Sequence, residues 1–230
     1  MFSVVPVNHV ELSLASWSWP FASDRRQDID AYFAAQKREN PALWDGRLLL
    51  LREHNFVGQT FRGTMFESRY SDLLAGLEFS AFNGAVKACF GVAALMSRDG
   101  AFIAGSMAHY TRNAGRILFP SGSLDPSDID GTAVDVHRSI LRELEEETGL
   151  RNDEVEPAPE WYLVLAGPRI PICKIIRTPE HGEDLRERIL GNIASQNRPE
   201  FTDICLVRGL DDLDPRMPQW MRAFFAFFWK

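Results

Sequence analysis

Some segments of the chain have the two-residue hydrophobic period of a strand, and others have the spacing of an amphipathic helix. The sequence contains no internal repeat. Runs of period two bounded by turn residues predict strands, and apolar positions three and four residues apart predict helices. The predicted strands cover residues 3–14, 47–52, 59–70, 88–96, 101–106, 116–119, 161–165, 171–176 and 204–207. The predicted helices cover residues 23–37, 71–77, 132–148, 183–195 and 218–229. Because strands and helices mix without regular βαβ alternation, the sequence predicts the α+β class, with sheet packed between helices.

Composition narrows the class of protein. The 230 residues, 45% of them hydrophobic, can bury a large core, and the net charge of -7 argues against a nucleic-acid partner. Cys89, Cys173 and Cys205 lie in apolar runs without pairing spacing, which indicates a reducing, cytoplasmic location. No signal peptide or membrane span is predicted, so we expect no membrane partner. The apolar tail at 221–229 is expected to dock on the core, with a dimer interface or membrane contact as alternatives.

Three carboxylates on the predicted helix 132–148 carry the chemical signal. Glu143, Glu146 and Glu147 fall at i, i+3 and i+4 and share one side, whereas Glu145 points away. Like charges this close repel one another, and the negative end of the helix dipole repels them as well. Hard oxygen ligands without histidine or thiolate suit Mg²⁺ or Mn²⁺. The residues alone support two interpretations of these three glutamates equally well: a metal site, or an acidic helix face in contact with solvent.

Residues 142–150 resemble the second half of the Nudix box, whose pattern is Arg-Glu-apolar-x-Glu-Glu-x-Gly-apolar. The upstream strand, the Asp99-Gly100 turn and the run 119–122 resemble the elements that open this box. The resemblance is strong over about 88–150 and extends to about 210. It implies a Nudix-type α/β/α sandwich around a mixed β-sheet in residues 86–230, with an N-terminal extension in 1–85. It also implies an enzyme, a metal-dependent diphosphatase (pyrophosphohydrolase).

The upstream half of the box departs from the family pattern. The best match for its glycine, Gly122, stands twenty residues before Arg142 instead of fourteen, which implies a six-residue insertion near 126–131. The glutamate that normally braces the arginine is replaced by Val134. Asp135, two helical turns before Arg142, is the predicted substitute. Asp125 and Asp128 are the alternatives.

The resemblance also assigns roles to single residues. It implies metal ligands at Glu143, Glu146, Glu147 and the backbone of Gly122. The predicted catalytic residues are Glu147, Glu146, Arg142, which orients the cluster, and Glu200, the candidate general base, with Asp203 behind it. For Glu200 and Asp203, the alternative is that both only cap a surface loop. Arg112 and Arg116 are expected either to bind substrate phosphate or to be solvated hairpin residues.

The N-terminal region bears on the substrate. The runs 40–46 and 70–76, with Leu49 between them, resemble more loosely the N-terminal region of Nudix enzymes that act on UDP-sugars. This favours hydrolysis of a nucleoside-diphosphate sugar to a nucleoside monophosphate and a sugar phosphate. ADP-ribose, a dinucleotide or an oxidised nucleotide is the alternative substrate, and a non-catalytic nucleotide sensor is the third hypothesis. Phe61, Phe66 and Tyr70 could stack on a base, line a homodimer interface, or belong to the core.

Overall fold

The computed structural model describes residues 2–82 and 86–230, and over these residues the chain forms thirteen β-strands and six α-helices. The strands are β1 (Ser3–Val7), β2 (His9–Leu14), β3 (Arg47–Val57), β4 (Thr60–Arg69), β5 (Ala88–Met96), β6 (Phe102–Met107), β7 (Ile117–Leu118), β8 (Ser121–Ser123), β9 (Ile129–Asp130), β10 (Ala133–Val134), β11 (Glu156–Leu165), β12 (Arg169–Arg177) and β13 (Phe201–Val207). The helices are α1 (Pro20–Asp24), α2 (Arg26–Glu39), α3 (Tyr70–Glu78), α4 (Val136–Thr148), α5 (Gly182–Ser195) and α6 (Gln219–Phe228). The predicted α+β class is confirmed.

An eight-stranded mixed sheet carries most of the core. Its main path runs β1-β11-β12-β5-β6-β13, while β7 pairs with β6 and β8 pairs with β5. β12 and β5 are parallel, and the other pairs in this sheet are antiparallel. Both β5 and β12 are buried over most of their length, as expected for strands that are covered on both faces.

Helices cover the two faces of this sheet. Successive residues of a strand point to opposite faces. On β5, Gly91 lies against Ile140 of α4, whereas its neighbour Phe90 packs edge-on against Trp220 of α6. α5 contacts α4 and packs on β6 and β13. The sheet therefore lies between α4 and α5 on one face and α6 on the other, which confirms the predicted α/β/α sandwich.

The apolar C-terminal segment docks on the core. Phe224 and Phe225 of α6 are fully buried and pack against the rings of Phe102 and Phe119. This confirms docking, the favoured prediction for this segment. Within residues 2–82 and 86–230, no helix combines the length and the apolar character needed to cross a membrane.

A second, five-stranded sheet comes mostly from the N-terminal part of the chain. Its order is β3-β4-β2-β10-β9, with α3 packed on β3 and β4 and α2 packed on α3. β1 instead pairs with β11 of the large sheet, and β9 and β10 join the small one. The division into residues 1–85 and 86–230 stays a prediction, and its boundary falls at 83–85, outside the described residues.

Two predicted elements differ from the structure near the N-terminus. The strand predicted at 3–14 divides at Asn8, because Asn8 and His9 both donate backbone hydrogen bonds to the Gln59 carbonyl where the chain passes between the two sheets. The helix predicted over 23–37 is divided at Arg25: α1 begins at Pro20, which fits the first turn of a helix, and α2 begins at Arg26.

Candidate active site

α4 is fixed at both ends and along one side. The Asp135 carboxylate accepts a 2.9 Å hydrogen bond from the Arg138 backbone N–H and caps the helix. Gly149 ends the helix, as predicted, in the left-handed conformation (φ 77°). Ile140 and Leu144 are fully buried. They hold α4 on the sheet, so its acidic side faces the preceding loop.

Glu147 lies at the buried end of the carboxylate cluster. Only 6% of the residue is exposed, and Oε2 accepts a 3.0 Å hydrogen bond from the Ser121 backbone N–H. Burial raises the pKa of Glu147 well above its usual value, the charges of Glu200 and Glu143 raise it further, and the Ser121 hydrogen bond only partly offsets this. The ionised form of Glu147 therefore needs a nearby positive charge.

Glu143 packs directly on the backbone of the preceding loop. A Cβ atom at Gly122 would overlap the Glu143 carboxylate, so a larger residue at position 122 would displace this side chain. Arg142 Nη1 donates a 2.6 Å hydrogen bond to Glu143 Oε1. Burial nevertheless raises the pKa of Glu143 to about 7, with smaller contributions from Glu146 and Glu200 that oppose the effect of Arg142.

Arg142 is held by Asp128 rather than by Asp135. Arg142 Nη2 lies 3.5 Å from Asp128 Oδ2 and 3.7 Å from Asp125 Oδ2. The prediction that Asp135 braces Arg142 is therefore wrong, and its two alternatives occupy that place. The helix begins only at Val136, so Asp135 is a cap outside the regular turns. A 3₁₀ turn at 126–128, within the predicted insertion, brings Asp128 back to α4. Asp128 is only 1% exposed there.

The remaining carboxylates differ in exposure and contacts. Glu146 has a 60% exposed side chain, and its Oε2 lies 3.8 Å from Arg142 Nη1. Glu200 lies just before β13, where desolvation and, to a smaller degree, the charge of Glu146 raise its pKa. Asp203 instead pairs with Arg186 at 3.2 Å and caps the Ile204 N–H. Of the two candidates for the general base, only Glu200 lines the cavity described next.

A cavity of about 950 Å³ lies beside the carboxylate cluster. Residues from 2–77 and from 88–220 line it. The predicted site residues in its wall are Gly122, Glu143, Glu200, Arg112 and Arg116. Glu147 and Arg142 reach this wall through their hydrogen bonds to Ser121 and Glu143. Seven of the eight predicted site residues thus line the cavity or contact its wall directly. Gly122 makes close contact with Glu143, and Glu146 lies at the exposed side of the cluster.

Three features of the site escape the sequence. Trp44, 79% exposed, lines the cavity, although its sequence context predicts only a turn. Its loop is held in place by Asn40, whose side chain donates to the Tyr110 carbonyl at 3.0 Å. Arg169 and the Ser121 N–H also belong to the site, but neither has a distinctive sequence pattern.

The three aromatic residues considered for stacking on a base, Phe61, Phe66 and Tyr70, lie in different places. Phe61 and Phe66 are buried in the core, so the core alternative holds for them. Tyr70 lines the cavity.

The donor set suits a hard divalent cation. Burial is the main cause of the raised pKa values of Glu143, Glu147 and Glu200, and the charge of Glu200 adds to the pKa values of the other two. All are oxygen donors, as Mg²⁺ and Mn²⁺ prefer. Within 2–82 and 86–230, no three acidic, histidine or cysteine side chains already converge at metal-ligand positions.

Comparison with known proteins gives fold similarities at low sequence identity. No family model matches the chain, and no curated protein does. A MutT protein from Methanosarcina mazei Go1 has 18% identity and a TM-score of 0.41, covering 62% of this chain and 92% of its own. The Nudix hydrolase RenU from M. smegmatis has 15% identity and a TM-score of 0.38, covering 64% and 91%. A C. elegans Ap4A hydrolase, solved as a binary complex, has 15% identity and a TM-score of 0.40, covering 60% and 97%.

Proposed function

We propose that this chain is a Nudix-type diphosphatase that uses Mg²⁺ or Mn²⁺ to hydrolyse a nucleoside diphosphate linked to another group, with a nucleoside-diphosphate sugar as the substrate. The observation that carries the proposal is the buried Glu147 and the partly buried Glu143 against the loop at Gly122, beside a cavity that Glu200 also lines. Burying unbalanced carboxylates costs stability. A bound cation that takes part in hydrolysis of the diphosphate best explains why the chain places carboxylates there despite the loss of stability.

The ion would be held by Glu143, Glu146 and Glu147, with the Gly122 carbonyl as a further ligand. A bound divalent ion supplies charge neutralisation for the phosphate oxygens and lowers the pKa of a bound water. Arg142 holds Glu143 in place through its 2.6 Å hydrogen bond and is itself held by Asp128.

Glu200 is the proposed general base. In the reaction, water adds its oxygen to one phosphorus, and the bridging oxygen leaves with the other phosphate. Glu200 accepts the proton that the water releases. Its raised pKa suits this role, because a base works best when its pKa lies near the working pH.

The substrate assignment rests on the N-terminal part of the chain. The loop at 42–46 and the first residues of β3 contribute to the cavity wall, together with Tyr70 at the start of α3. Trp44 offers an exposed aromatic face for a nucleobase or sugar. Residues outside the carboxylate cluster would therefore select the group attached to the diphosphate.

The test is a panel of UDP-sugars, ADP-ribose, dinucleotides and an oxidised nucleotide, each with Mg²⁺ or Mn²⁺, with products separated by chromatography. We expect UDP-sugars to give UMP and a sugar phosphate. Glu147→Gln should lower the rate by at least about a hundredfold, because a charged ligand and its ion are lost together. Preferred turnover of another compound would reject the sugar assignment. Binding without any turnover would favour a nucleotide sensor.

We further propose a cytoplasmic homodimer that binds small-molecule nucleotides and neither nucleic acid nor membranes. Cys89 and Cys173 are buried free thiols, which supports a reducing compartment. Phe56 and Val57 are exposed near the tip of the β3–β4 hairpin and support a self-association surface there. Light scattering of Phe56→Ser beside wild type tests the dimer, and we expect the variant to be monomeric.

A further inference from the structure

Three arginines line one part of the cavity without acidic partners. Arg112 and Arg116 lie between β6 and β7, and Arg169 begins β12. Among the described residues, no carboxylate oxygen lies within 4 Å of these guanidinium groups. By contrast, Arg142 in the same region has four such carboxylates. The three positive charges are therefore free to bind an anion from solution.

These charges also lie close enough to affect one another. Desolvation lowers the pKa of Arg169, and the charges of Arg112 and Arg116 lower it further. Tyr70 lines the same cavity as Arg112 and Glu200, and the charges of both affect the pKa of its hydroxyl. Burial raises the pKa of Tyr70, Arg112 lowers it, and Glu200 raises it slightly. A repulsive cluster of guanidinium groups is relieved by a bound phosphate, whose oxygens accept charge-assisted hydrogen bonds.

The backbone holds Arg169 in position. Ala166 and Arg169 exchange two backbone hydrogen bonds, of 3.0 and 3.3 Å, across a turn in which Gly167 adopts a φ of 65°. The Lys87 ammonium donates to the Gly167 carbonyl at 2.8 Å and ties this turn to the start of β5. A fixed backbone reduces the entropy lost when Arg169 binds a ligand.

The backbone also holds Arg116. Its carbonyl accepts a 2.8 Å bond from Met107 N–H, and its own N–H donates to Asn113. The turn that carries Arg112 and Arg116 is therefore closed onto β6.

We propose that Arg112, Arg116 and Arg169 form the metal-independent half of the substrate site, where Arg169 binds a phosphoryl group of the diphosphate. The carboxylate cluster would form the other, metal-dependent half. The identification of the anion as a substrate diphosphate rests on the proposed function. The cluster's ability to bind a phosphate anion rests only on its own charge and position.

The test measures binding of inorganic pyrophosphate by calorimetry in EDTA, at low ionic strength. Wild type should bind, and added salt should weaken binding. Arg169→Gln should weaken binding about tenfold or more, the loss expected for one charge-assisted hydrogen bond. Arg169→Lys should fall between the two, because lysine keeps the charge and loses the paired donors. Arg177→Gln, an exposed position at the other end of β12, is the matched control and should bind as wild type does.

Two results would overturn this inference: no binding of pyrophosphate by wild type in EDTA, or equal affinity in wild type and Arg169→Gln. The outcome is separable from that of the proposed function. Pyrophosphate binding that depends on Arg169, without hydrolysis of any diphosphate compound, rejects the function and supports the anion site. Metal-dependent hydrolysis with an unchanged affinity and KM in Arg169→Gln supports the function and rejects the anion site.

Discussion

Replacing Glu143 with glutamine is expected to stabilise the metal-free protein above pH 7. The folded protein raises the pKa of Glu143 to about 7 from an ordinary value near 4.5. Below pH 4.5 the carboxyl is protonated in both folded and unfolded chains. As the pH rises towards 7, the unfolded chain ionises first, so the free energy of unfolding falls and then levels off above the folded pKa.

The size of this effect follows from the shift. About 2.5 pKa units at 1.36 kcal/mol each correspond to roughly 3 kcal/mol. Only 16% of the Glu143 side chain is exposed, so solvent screening removes little of it. The effect of Arg142 is already contained in the folded pKa, so we expect Glu143→Gln to gain about 3 kcal/mol over wild type at pH 8.

Urea unfolding in EDTA at pH 5 and pH 8, followed by circular dichroism, measures this change. Glu145→Gln, an exposed carboxylate on the same helix, is the control and should change the free energy of unfolding by less than about 0.5 kcal/mol. In buffer without EDTA, added Mn²⁺ should stabilise wild type more than Glu143→Gln. A variant that is no more stable than wild type at pH 8 in EDTA would refute the electrostatic reasoning.

Four further substitutions test the supports of the site. Gly122→Ala should destabilise the protein by about 1–3 kcal/mol, measured by urea unfolding, because its Cβ would overlap the Glu143 carboxylate; unchanged stability would contradict the close contact. Asp128→Ala should lower the free energy of unfolding by about 1–3 kcal/mol, because the Asp125 N–H and Arg142 lose a buried acceptor. Asp125→Ala should cost less, because its pair with Arg142 is longer and more exposed. Gly149→Ala should cost at least about 1 kcal/mol in the same assay, because φ is 77° and Asn192 lies 2.6 Å from the added Cβ; a neutral result would exclude strain at this C-cap.

Local sequence patterns predict most elements of this fold. β5 covers 88–96 in both prediction and structure, and α5 differs by one residue. Such elements have strong hydrophobic patterns and clear turn residues at their ends. Pairing between distant strands is not visible in these patterns. Nothing in residues 3–14 indicates that β1 and β2 enter different sheets, because both halves alternate in the same way.

The site is predictable where helical spacing decides it. Spacing alone places Glu143 and Glu147 on one side of α4, and Gly149 ends the helix as predicted. The partner of Arg142 could not be found in this way. Asp135 has the right spacing only if the helix extends to 132, but two residues there form β10 instead. Asp128 reaches Arg142 through a 3₁₀ turn, and Arg169 reaches the cavity through a strand pairing, so tertiary structure determines both.

Binding of Mn²⁺ by the carboxylates of α4 tests the central claim most directly. Electron paramagnetic resonance measures free Mn²⁺ during titration of wild type, Glu147→Gln and the control Glu145→Gln. Wild type and Glu145→Gln should bind with equal affinity, and Glu147→Gln should bind at least about tenfold more weakly, because one charged ligand is lost. Equal Mn²⁺ affinity in wild type and Glu147→Gln, or no binding by wild type, would contradict the assignment of this cluster as a metal site.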